Sequence, residues 1–350
     1  MIANRKEEHI RIAEKNEVNA SHNYWDDIVM VHRSIPEVDY NSIETNMDFL
    51  GTVIDYPILI SSMTGGTELA RKINRNLARA AEKFNIPMGL GSMRAAVEHR
   101  ELGDTYSVIN DFKIPVKLAN IGAPQLIEQD KKPLTEKDLD YLIDLIGAKF
   151  LIIHFNFLQE MIQPEGDRNA KGVLKRVSEI AESYPVIAKE TGAGFSRDDI
   201  NDLIDSGVKA IDVGGLGGTS FAAIEYYRAE KTGDMEKTRA GTTFWNWGVP
   251  SPVSIILASG RIPVIGSGGL RNGLDLFKAI SLGAMAGGFA RTLLEGADDS
   301  YETVEMNIRT IIREFKIGMM LTGTRTMGEA RTRSRIIKGE LKDWTDGYVG

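Results

Sequence analysis

The chain of 350 residues contains no cysteine. Disulfides, thiolate nucleophiles and cysteine-ligated metal centres are therefore excluded. The chain also lacks an apolar run of about 18 residues, so no membrane-spanning helix is expected. Its first residues are polar and do not contain the apolar core of a secretory signal. These absences predict a cytoplasmic protein.

Excess positive charge is missing as well. Lysine and arginine number 42 against 49 acidic residues, and the formal net charge is -7. Nucleic-acid binding needs concentrated positive charge, so no nucleic-acid partner is expected. A few well-placed basic residues can still bind a small anion, because local charge differs from the global balance.

The chain does contain a regular alternation of short apolar segments with longer amphipathic ones. The predicted strands lie in the segments YPILIS, IPMGLGS, PVKLANIG, KFLIIHFN, YPVIAKE, KAIDVGG, IPVIGSGG and AMAGGFA. Eight strand-then-helix units predict an α/β fold, a (β/α)8 TIM barrel. An open doubly wound sheet is the alternative, although it rarely has so many parallel strands.

Two regions fall outside this alternation. Residues 1–50 are predicted to form an N-terminal extension that contributes substrate-binding residues, and residues 51–350 the barrel itself. The interval from Phe221 to Pro250 is too long and too polar for a plain connection. It predicts an inserted loop after strand six, lying over the barrel mouth.

The predicted strand ends are rich in glycine and hydroxyl residues, and barrels bind ligands at these ends. A single glycine is most simply a turn residue, but recurrence at so many ends indicates a binding site. Gly268, Gly269 and Arg271 follow the seventh strand, and Ala290 and Arg291 follow the eighth. This pattern predicts a phosphate held by the last two loops at a helix N-terminus. Flavin mononucleotide (FMN) and sugar phosphates both fit such a site.

Lys189 ends an apolar strand, where a solvated lysine is unexpected. It predicts a fixed cation that stabilises negative charge on a bound ring or oxyanion. The alternative is a structural ion pair with the adjacent Glu190. Thr219 and Ser220 follow strand six and can donate hydrogen bonds to the same ligand.

Further cations are expected at the mouth. Arg5, Lys6 and His9 share one side of an N-terminal helix, and Arg94 follows the second strand. Taken singly, the first three are typical of a solvated basic face. Together with Arg94 they predict a polyanionic substrate such as a diphosphate.

The segment FLIIHFNFLQE ends an apolar strand in four polar side chains. His154 and Asn156 share one face of the strand, and Gln159 and Glu160 are predicted in the loop above it. A solvated loop is the alternative explanation. Beside a diphosphate, Glu160 becomes a credible Mg²⁺ ligand and Gln159 a positioning group.

Several segments, in chain order, resemble the signature segments of the type 2 isopentenyl-diphosphate isomerases. They are RKEEH, SSMTGG, GSMR, HFNFLQE, KETGAG, GLGGTS, SGGLRNG and GGFAR, from residue 5 to about residue 295. The resemblance implies a TIM barrel that uses reduced FMN, Mg²⁺ and NAD(P)H as reductant, assembled as a homotetramer or larger. It implies interconversion of isopentenyl and dimethylallyl diphosphate, in isoprenoid biosynthesis, without net redox change. Met93 and Phe221 depart from the family, which often has glutamine and tryptophan there.

The resemblance also implies the site residues. The implied FMN contacts are Met63, Thr64, Gly65, Ser92, Asn120, Lys189, Thr219, Gly268, Gly269, Arg271, Ala290 and Arg291. The implied substrate contacts are Arg5, Lys6, His9, Ser92, Arg94, His154, Asn156 and Gln159, with Glu160 as the metal ligand. Gln159, Lys189 and His154 are expected to be catalytic.

Other activities remain as alternatives. An FMN-dependent oxidoreductase of the hydroxy-acid or dihydroorotate type commonly needs a histidine or cysteine base after a late strand. No histidine follows His154, so this alternative is disfavoured. Inosine-monophosphate dehydrogenase chemistry needs a cysteine nucleophile and is excluded. A phosphate sensor without enzymatic activity would not need Lys189 and Glu160.

Overall fold

The computed structural model describes the backbone of residues 2–349 and the side chains of residues 7–349. Eight parallel strands form a closed barrel, with neighbours in chain order and the last strand pairing with the first. They are β4 Ile58–Ile60, β5 Met88–Gly89, β6 Lys117–Gly122, β7 Phe150–Phe155, β8 Val186–Glu190, β9 Ala210–Asp212, β10 Val264–Ser267 and β11 Ala286–Phe289. Each lies within a predicted strand segment, so the TIM barrel is confirmed.

Helices surround the barrel and cover its strands. They are α1 Ile2–Lys15, α2 Glu68–Phe84, α3 Arg94–Glu98, α4 Asp104–Ser107, α5 Glu136–Ile146, α6 Phe157–Ile162, α7 Val173–Ser183, α8 Arg197–Asp205, α9 Phe221–Thr232, α10 Met235–Thr243, α11 Ser251–Ala258, α12 Gly273–Ser281, α13 Arg291–Leu294, α14 Tyr301–Leu321, α15 Met327–Arg331 and α16 Gly339–Trp344. Among the described residues, no helix is both long enough and apolar enough to cross a membrane.

The strand register places polar side chains in one row. Gly122 pairs with His154, His154 with Lys189, and Lys189 with Asp212 across four neighbouring strands. Residues paired across neighbouring strands point to the same side of the sheet. The carboxyl-terminal ends of β7, β8 and β9 therefore present an imidazole, an ammonium and a carboxylate at one level of the barrel.

The N-terminal extension crosses the barrel mouth after α1. The amide of Ala20 donates to the carbonyl of Gly218 (2.8 Å), and Asn23 Nδ2 donates to that of Gly269 (3.0 Å). Trp25 is fully buried, and its Nε1 donates to the carbonyl of Gly268 (2.9 Å). Because these glycines follow barrel strands, the segment from residue 17 to residue 27, here called the N-terminal strap, forms part of the mouth.

Short strands outside the barrel complete the extension. Strand β1 Ile28–Met30 pairs antiparallel with β12 Arg335–Ile337, and β2 Met47–Asp48 pairs with β3 Val53–Ile54. The β2–β3 turn receives the ammonium of Lys149, which immediately precedes β7. This hairpin therefore lies at the amino-terminal end of the barrel, opposite the mouth.

The predicted inserted loop after the sixth barrel strand is helical for most of its length. The segment from Phe221 to Pro250 contains α9 and α10, and only residues 244–250 connect them to α11. Ser220 and Asp234 cap the two helices by accepting from backbone amides three residues ahead. The prediction of a loop was wrong because it rested on the length and polarity of this interval. The capping residues and the run FAAIEYYRAEK favour helices instead.

Replacing Trp25 with phenylalanine should destabilise the protein, because it removes the donor to Gly268 and leaves space in a packed interior. We expect a loss of about 1–3 kcal/mol in the free energy of unfolding. The measurement is urea denaturation followed by far-UV circular dichroism. Trp247→Phe is the control, since Trp247 is 63% exposed and should tolerate the change. Equal stability of the two variants would contradict the anchoring role of Trp25.

Candidate active site

A cavity of about 920 Å³ opens at the carboxyl ends of the barrel strands, under the N-terminal strap. Most of the predicted site residues line it. They are His9, Met63, Thr64, Ser92, Arg94, Asn120, His154, Asn156, Gln159, Glu160, Lys189, Thr219, Gly268, Gly269, Arg271, Ala290 and Arg291. Arg5 and Lys6 lie outside the residues whose side chains the structure describes.

Gly65 lies behind the cavity wall and not on it. A Cβ at this position would come within 2.0 Å of the ring of Tyr106. That tyrosine is fully buried, and its hydroxyl donates to the carbonyl of Ser92 (2.8 Å). The close packing of Tyr106 therefore explains why residue 65 is a glycine. The predicted reason was a contact between Gly65 and the cofactor.

The loop after β4 supplies hydroxyl groups to the cavity. Ser61, Ser62 and Thr64 line it, and their hydroxyl oxygens are buried without a hydrogen-bond partner among the described residues. Unpaired buried hydroxyls cost free energy unless a ligand bonds to them. Asn120 is already engaged, with Nδ2 donating to the carbonyl of Leu90 (2.9 Å). A ligand rich in hydrogen-bonding atoms, such as a flavin ring, fits this floor.

Lys189 is buried at the end of β8. Its ammonium donates to the backbone carbonyl of Glu190 (2.6 Å) and lies 3.9 Å from a carboxylate oxygen of Asp212. The carboxylate of Glu190 instead accepts from the amides of Ala193 (2.5 Å) and Gly194 (2.9 Å). The ion-pair partner of Lys189 is therefore Asp212 and not its neighbour Glu190.

Asp212 was not singled out from the sequence. It is fully buried, its other oxygen accepts from the hydroxyl of Ser267, and burial raises its pKa. The sequence does contain an indication of this site, because Asp212 is a charged residue at the end of the apolar strand KAID, just as Lys189 ends its own apolar strand. The two residues are paired in register, so each explains the burial of the other.

The glycine loop after β10 packs tightly against its neighbours. Gly268 has φ of +91°, and a Cβ there would lie 2.3 Å from the carbonyl oxygen of Gly215. The following helix α12 has its first amide bonded to the carboxylate of Glu314 (2.8 Å) and is capped by Asn272. Helix α13 after β11 has Ala290 at its N-cap and no side-chain cap. The helix N-terminus that suits the predicted phosphate is therefore that of α13.

The two arginines predicted to contact phosphate hold the N-terminal strap. The guanidinium of Arg271 bonds to both oxygens of Asp26 (3.0 and 2.5 Å) and to Asp275 (2.9 Å). These carboxylates hold the pKa of Arg271 above its usual range. Arg291 donates to the side chain of Asn19 (2.9 Å). Both line the cavity, but the structure gives each a partner in the N-terminal strap that the sequence did not predict.

At the polar end of the segment FLIIHFNFLQE, Asn156, Gln159 and Glu160 are buried and His154 is partly buried. His154 Nδ1 bonds to Asn120 Oδ1 (2.8 Å), and helix α6 begins directly after Asn156. Gln159 and Glu160 therefore lie in the first turn of a helix and not on a loop. They are 9% and 6% exposed, which excludes the solvated-loop alternative.

Glu160 orients the amides around it. Its Oε1 accepts from Asn156 Nδ2 (2.8 Å), and its Oε2 accepts from Gln163 Nε2 and from the amide of Asp167 (2.8 Å). The side-chain amide oxygens of Asn156 (Oδ1) and Gln163 (Oε1) are buried and have no hydrogen-bond partner among the described residues. Both amides line the cavity, so oxygen acceptors collect on this wall.

Among the described residues, no group of three or more histidine or acidic side chains is arranged to hold a metal ion. Glu160 and the side-chain amide oxygens of Asn156 and Gln163 nevertheless give this wall of the cavity oxygen ligands and acceptors. Mg²⁺ commonly takes one or two carboxylates and keeps water and phosphate as its other ligands. The wall around Glu160 fits a Mg²⁺ ion that arrives with a diphosphate.

Glu225 on α9 is a second residue near the site, after Asp212, that the sequence prediction missed. It is fully buried, accepts from Gln159 Nε2 (3.0 Å) and lies 3.0 Å from His9 Nε2. Burial alone would raise the pKa of Glu225, but the contacts with His9, Arg228 and Gln159 hold it below its usual range. Its position on one helix face with Ala222 and Ala229 was the available signal.

The remaining predicted residues have mixed placements. Arg94 lines the cavity but also pairs with Glu98 (2.8 Å) and Asp167 (3.2 Å). The hydroxyl of Ser220 caps α9 by accepting from the amide of Ala223, and Ser220 is not among the residues that line the cavity. Of the two departures from the family pattern, Phe221 lines the cavity, and Met93 is buried in the core.

Known proteins are similar to this chain in sequence. A family model described as FMN-dependent dehydrogenase matches residues 6–102 and 157–337. A protein of Thermoplasma volcanium named isopentenyl-diphosphate delta-isomerase is 60% identical over 99% of this chain and 100% of its own. Proteins of the same name from Picrophilus torridus and Pyrococcus horikoshii are 61% and 43% identical, covering 100% and 93% of their own lengths.

The chain belongs to the isopentenyl-diphosphate delta-isomerases. This confirms the predicted family and decides against the oxidoreductase alternative. Solved structures of mandelate oxidase match this isomerase fold with TM-scores of 0.63 and 0.62 at 17% and 16% identity. They cover 94% and 95% of this chain, and 94% and 92% of their own. At that identity the likeness shows the barrel fold alone.

The stability of this isomerase should depend on the ionisation of Glu190. Burial raises the pKa of Glu190 from its ordinary 4.5 to about 7, although amides of residues 193 and 194 oppose the shift. The resulting stabilisation is complete below about pH 4.5 and is lost as pH rises through about 7. We expect the contribution to amount to on the order of 3 kcal/mol.

The check is urea denaturation from pH 4.5 to 8 on the native protein and on Glu190→Gln. The glutamine keeps an acceptor for the loop amides but cannot ionise, so its stability should fall less across this range. Glu182→Gln, at an exposed position on α7, is the control and should follow the native profile. Parallel profiles for Glu190→Gln and the native protein would rule out this titration.

Proposed function

We propose that the protein interconverts isopentenyl diphosphate and dimethylallyl diphosphate in the cavity at the barrel mouth. The observation that carries this proposal is the cavity wall formed by Asn156, Gln159 and Glu160, which are buried, and by His154, which is partly buried. This wall places amide and carboxylate groups against a cavity large enough for a flavin and a small diphosphate. No histidine follows His154 in the sequence, so the late-strand histidine base of the oxidoreductase alternative is missing. The names of the close relatives support the same reaction.

FMN is the proposed cofactor, supported by the family model and by the cavity floor. The hydroxyls of Ser61, Ser62 and Thr64 have no other described partner and would bond to its polar atoms. Lys189 is the fixed cation beside the ring, and the backbone of Gly268, Gly269 and residues 290–291 would hold its phosphate. When bound and reduced, FMN supplies an electron-rich ring that stabilises positive charge and exchanges protons.

The residues of the chain then govern where protons move. The reaction adds a proton at the terminal alkene carbon and removes one from the carbon beside the oxymethylene group. Gln159 is a poor acid or base, so we assign it to orienting the alkene or relaying a proton, with Glu225 fixing its amide. His154 bonds to Asn120 and is paired in register with Lys189 on the neighbouring strand, and we assign it to contacting the polar end of the substrate.

The diphosphate is proposed to bind between Glu160 and the basic residues of the mouth. Glu160 would hold Mg²⁺, and Asn156 and Gln163 would accept hydrogen bonds from its water ligands. His9 and Arg94 line this side of the cavity, and Arg5 and Lys6 are proposed to add charge from α1. NADPH as reductant, a homotetramer or larger assembly, and a cytoplasmic location complete the proposal.

The direct test supplies isopentenyl diphosphate, Mg²⁺, FMN and NADPH or dithionite to the purified protein without oxygen. We expect the protein to be yellow with oxidised FMN before the reductant is added, to lose that colour on reduction, and then to form dimethylallyl diphosphate without consuming a stoichiometric amount of NADPH. Product is measured by chromatography, and NADPH by its absorbance. Stoichiometric NADPH loss without isomer formation would favour an oxidoreductase, and failure to take up FMN would exclude both flavoenzyme functions.

Glu160→Gln should impair turnover while leaving FMN bound. The amide loses one negative charge and presents a donor toward Asn156 and Gln163, which already donate to this position. We expect turnover at saturating substrate to fall at least about 10-fold, with a higher Mg²⁺ requirement. The measurement is a Mg²⁺ titration of the rate, with bound FMN quantified by absorbance.

Glu128→Gln is the matched control for this change, because Glu128 is exposed on the surface between β6 and α5. Its Mg²⁺ titration should overlay that of the native protein. If Glu160→Gln retained the native Mg²⁺ dependence, the metal assignment would be wrong even if the isomerase assignment held.

A further inference from the structure

Arg228 joins three separate parts of the chain behind the wall of the cavity. From α9 it contacts the carboxylates of Glu225 (2.6 Å), Glu165 (2.8 Å) and Glu8 (3.2 Å). Glu8 lies on α1, and Glu165 lies in the segment after α6. The Arg228 side chain is 11% exposed and does not line the cavity, so direct contact with a ligand is not its role.

The two oxygens of Glu225 have different partners. Oε2 faces the guanidinium of Arg228, and Oε1 faces Gln159 Nε2 and His9 Nε2 (3.0 Å each). A charge-assisted bond to one oxygen fixes the rotation of the whole carboxylate. The second oxygen is thereby directed at the cavity wall.

This direction determines which way the amide of Gln159 faces. An ionised carboxylate only accepts hydrogen bonds, so Gln159 must present its NH₂ group to Glu225. The amide oxygen then faces the other way, where Asn156 Nδ2 lies at 3.4 Å. Without a fixed acceptor the two ends of the amide are nearly equivalent in shape and can exchange.

We propose that Arg228 is a positioning residue that sets the orientation of the Gln159 amide through Glu225. Its contacts with Glu8 and Glu165 also tie α1 and the segment after α6 to the same point. The catalytic consequence of this proposal rests on the isomerase function proposed above. The positional consequence, that the Gln159 amide loses its fixed orientation without Arg228, does not depend on it.

Removing the guanidinium leaves Glu225 as a buried carboxylate with weaker compensation. A buried charge that loses its partner moves or recruits other donors, because its desolvation is costly. Either response changes what Gln159 faces. A misplaced group in an active site can lower the rate on the order of 100-fold, even when the changed residue does not touch substrate.

Lys231 provides a matched control. It pairs with Glu8 (2.9 Å) from the next turn of α9, is 73% exposed, and forms no hydrogen bond or ion pair with Glu225 or Gln159. Lys231→Met therefore weakens the same tie to α1 without disturbing the acceptor of Gln159. If Arg228 acted only by docking α1, both variants would lose activity alike.

The first experiment measures kcat and KM for isomer formation with FMN-loaded native protein, Arg228→Met, Arg228→Lys and Lys231→Met. We expect Arg228→Met to lower kcat on the order of 100-fold with a smaller change in KM. Arg228→Lys should recover part of this loss, because an ammonium keeps the charge but lacks the planar geometry. Lys231→Met should stay within about two-fold of the native kcat. Equal losses in Arg228→Met and Lys231→Met would overturn the proposal.

The second experiment reads the position of the amide without using turnover. The side-chain amide signal of Gln159 is assigned in ¹H–¹⁵N spectra by its absence in Gln159→Ala. It should shift in Arg228→Met and Arg228→Lys but not in Lys231→Met. An unshifted signal in a folded Arg228→Lys variant would overturn the proposal, even if Arg228→Met failed to fold. A native protein without isomerase activity but with the expected shifts would instead overturn the proposed function alone.

Discussion

A carboxylate that has no access to solvent organises one side of the barrel mouth. Glu225 is fully buried, and an isolated charge in such a place is strongly unfavourable. Its burial is tolerated because α1, α6 and α9 each bring a hydrogen-bonding or charged group to it. The same contacts that stabilise the charge also close the wall of the cavity, so stability and site geometry depend on one group.

The other side of the mouth is organised by one ion pair and several hydrogen bonds to the N-terminal strap. Asp26 bonds to Arg271 and Asn19 to Arg291, while Trp25 bonds to the glycine loop after β10. Arginine is well suited to such contacts, because its planar guanidinium binds a carboxylate through two parallel bonds. The loops expected to hold a phosphate are thus supported from above by a segment more than 240 residues away in sequence.

The barrel could be predicted because its signals are local and repeated. Each strand segment is short, apolar and followed by a helical period, and eight repeats close a barrel. Lys189 and the polar residues from His154 to Glu160 were predicted for a similar reason, because a polar group at the end of an apolar strand is unusual and can be recognised from the local sequence alone. The helices within residues 221–243 could also be predicted in principle, but their capping residues were taken as polar residues of a loop.

What could not be predicted was which groups pair across the mouth. Glu225 lies 66 residues from Gln159 and on a different helix, and no local pattern connects them. Arg271 has the correct position for a phosphate ligand, yet its guanidinium is held by two carboxylates, one of them in the N-terminal strap. Sequence position reports which strand end a residue follows. The partner of each charge is decided by the closure of the barrel and by the strap across it, because a buried charge must be neutralised by whatever the fold brings within reach.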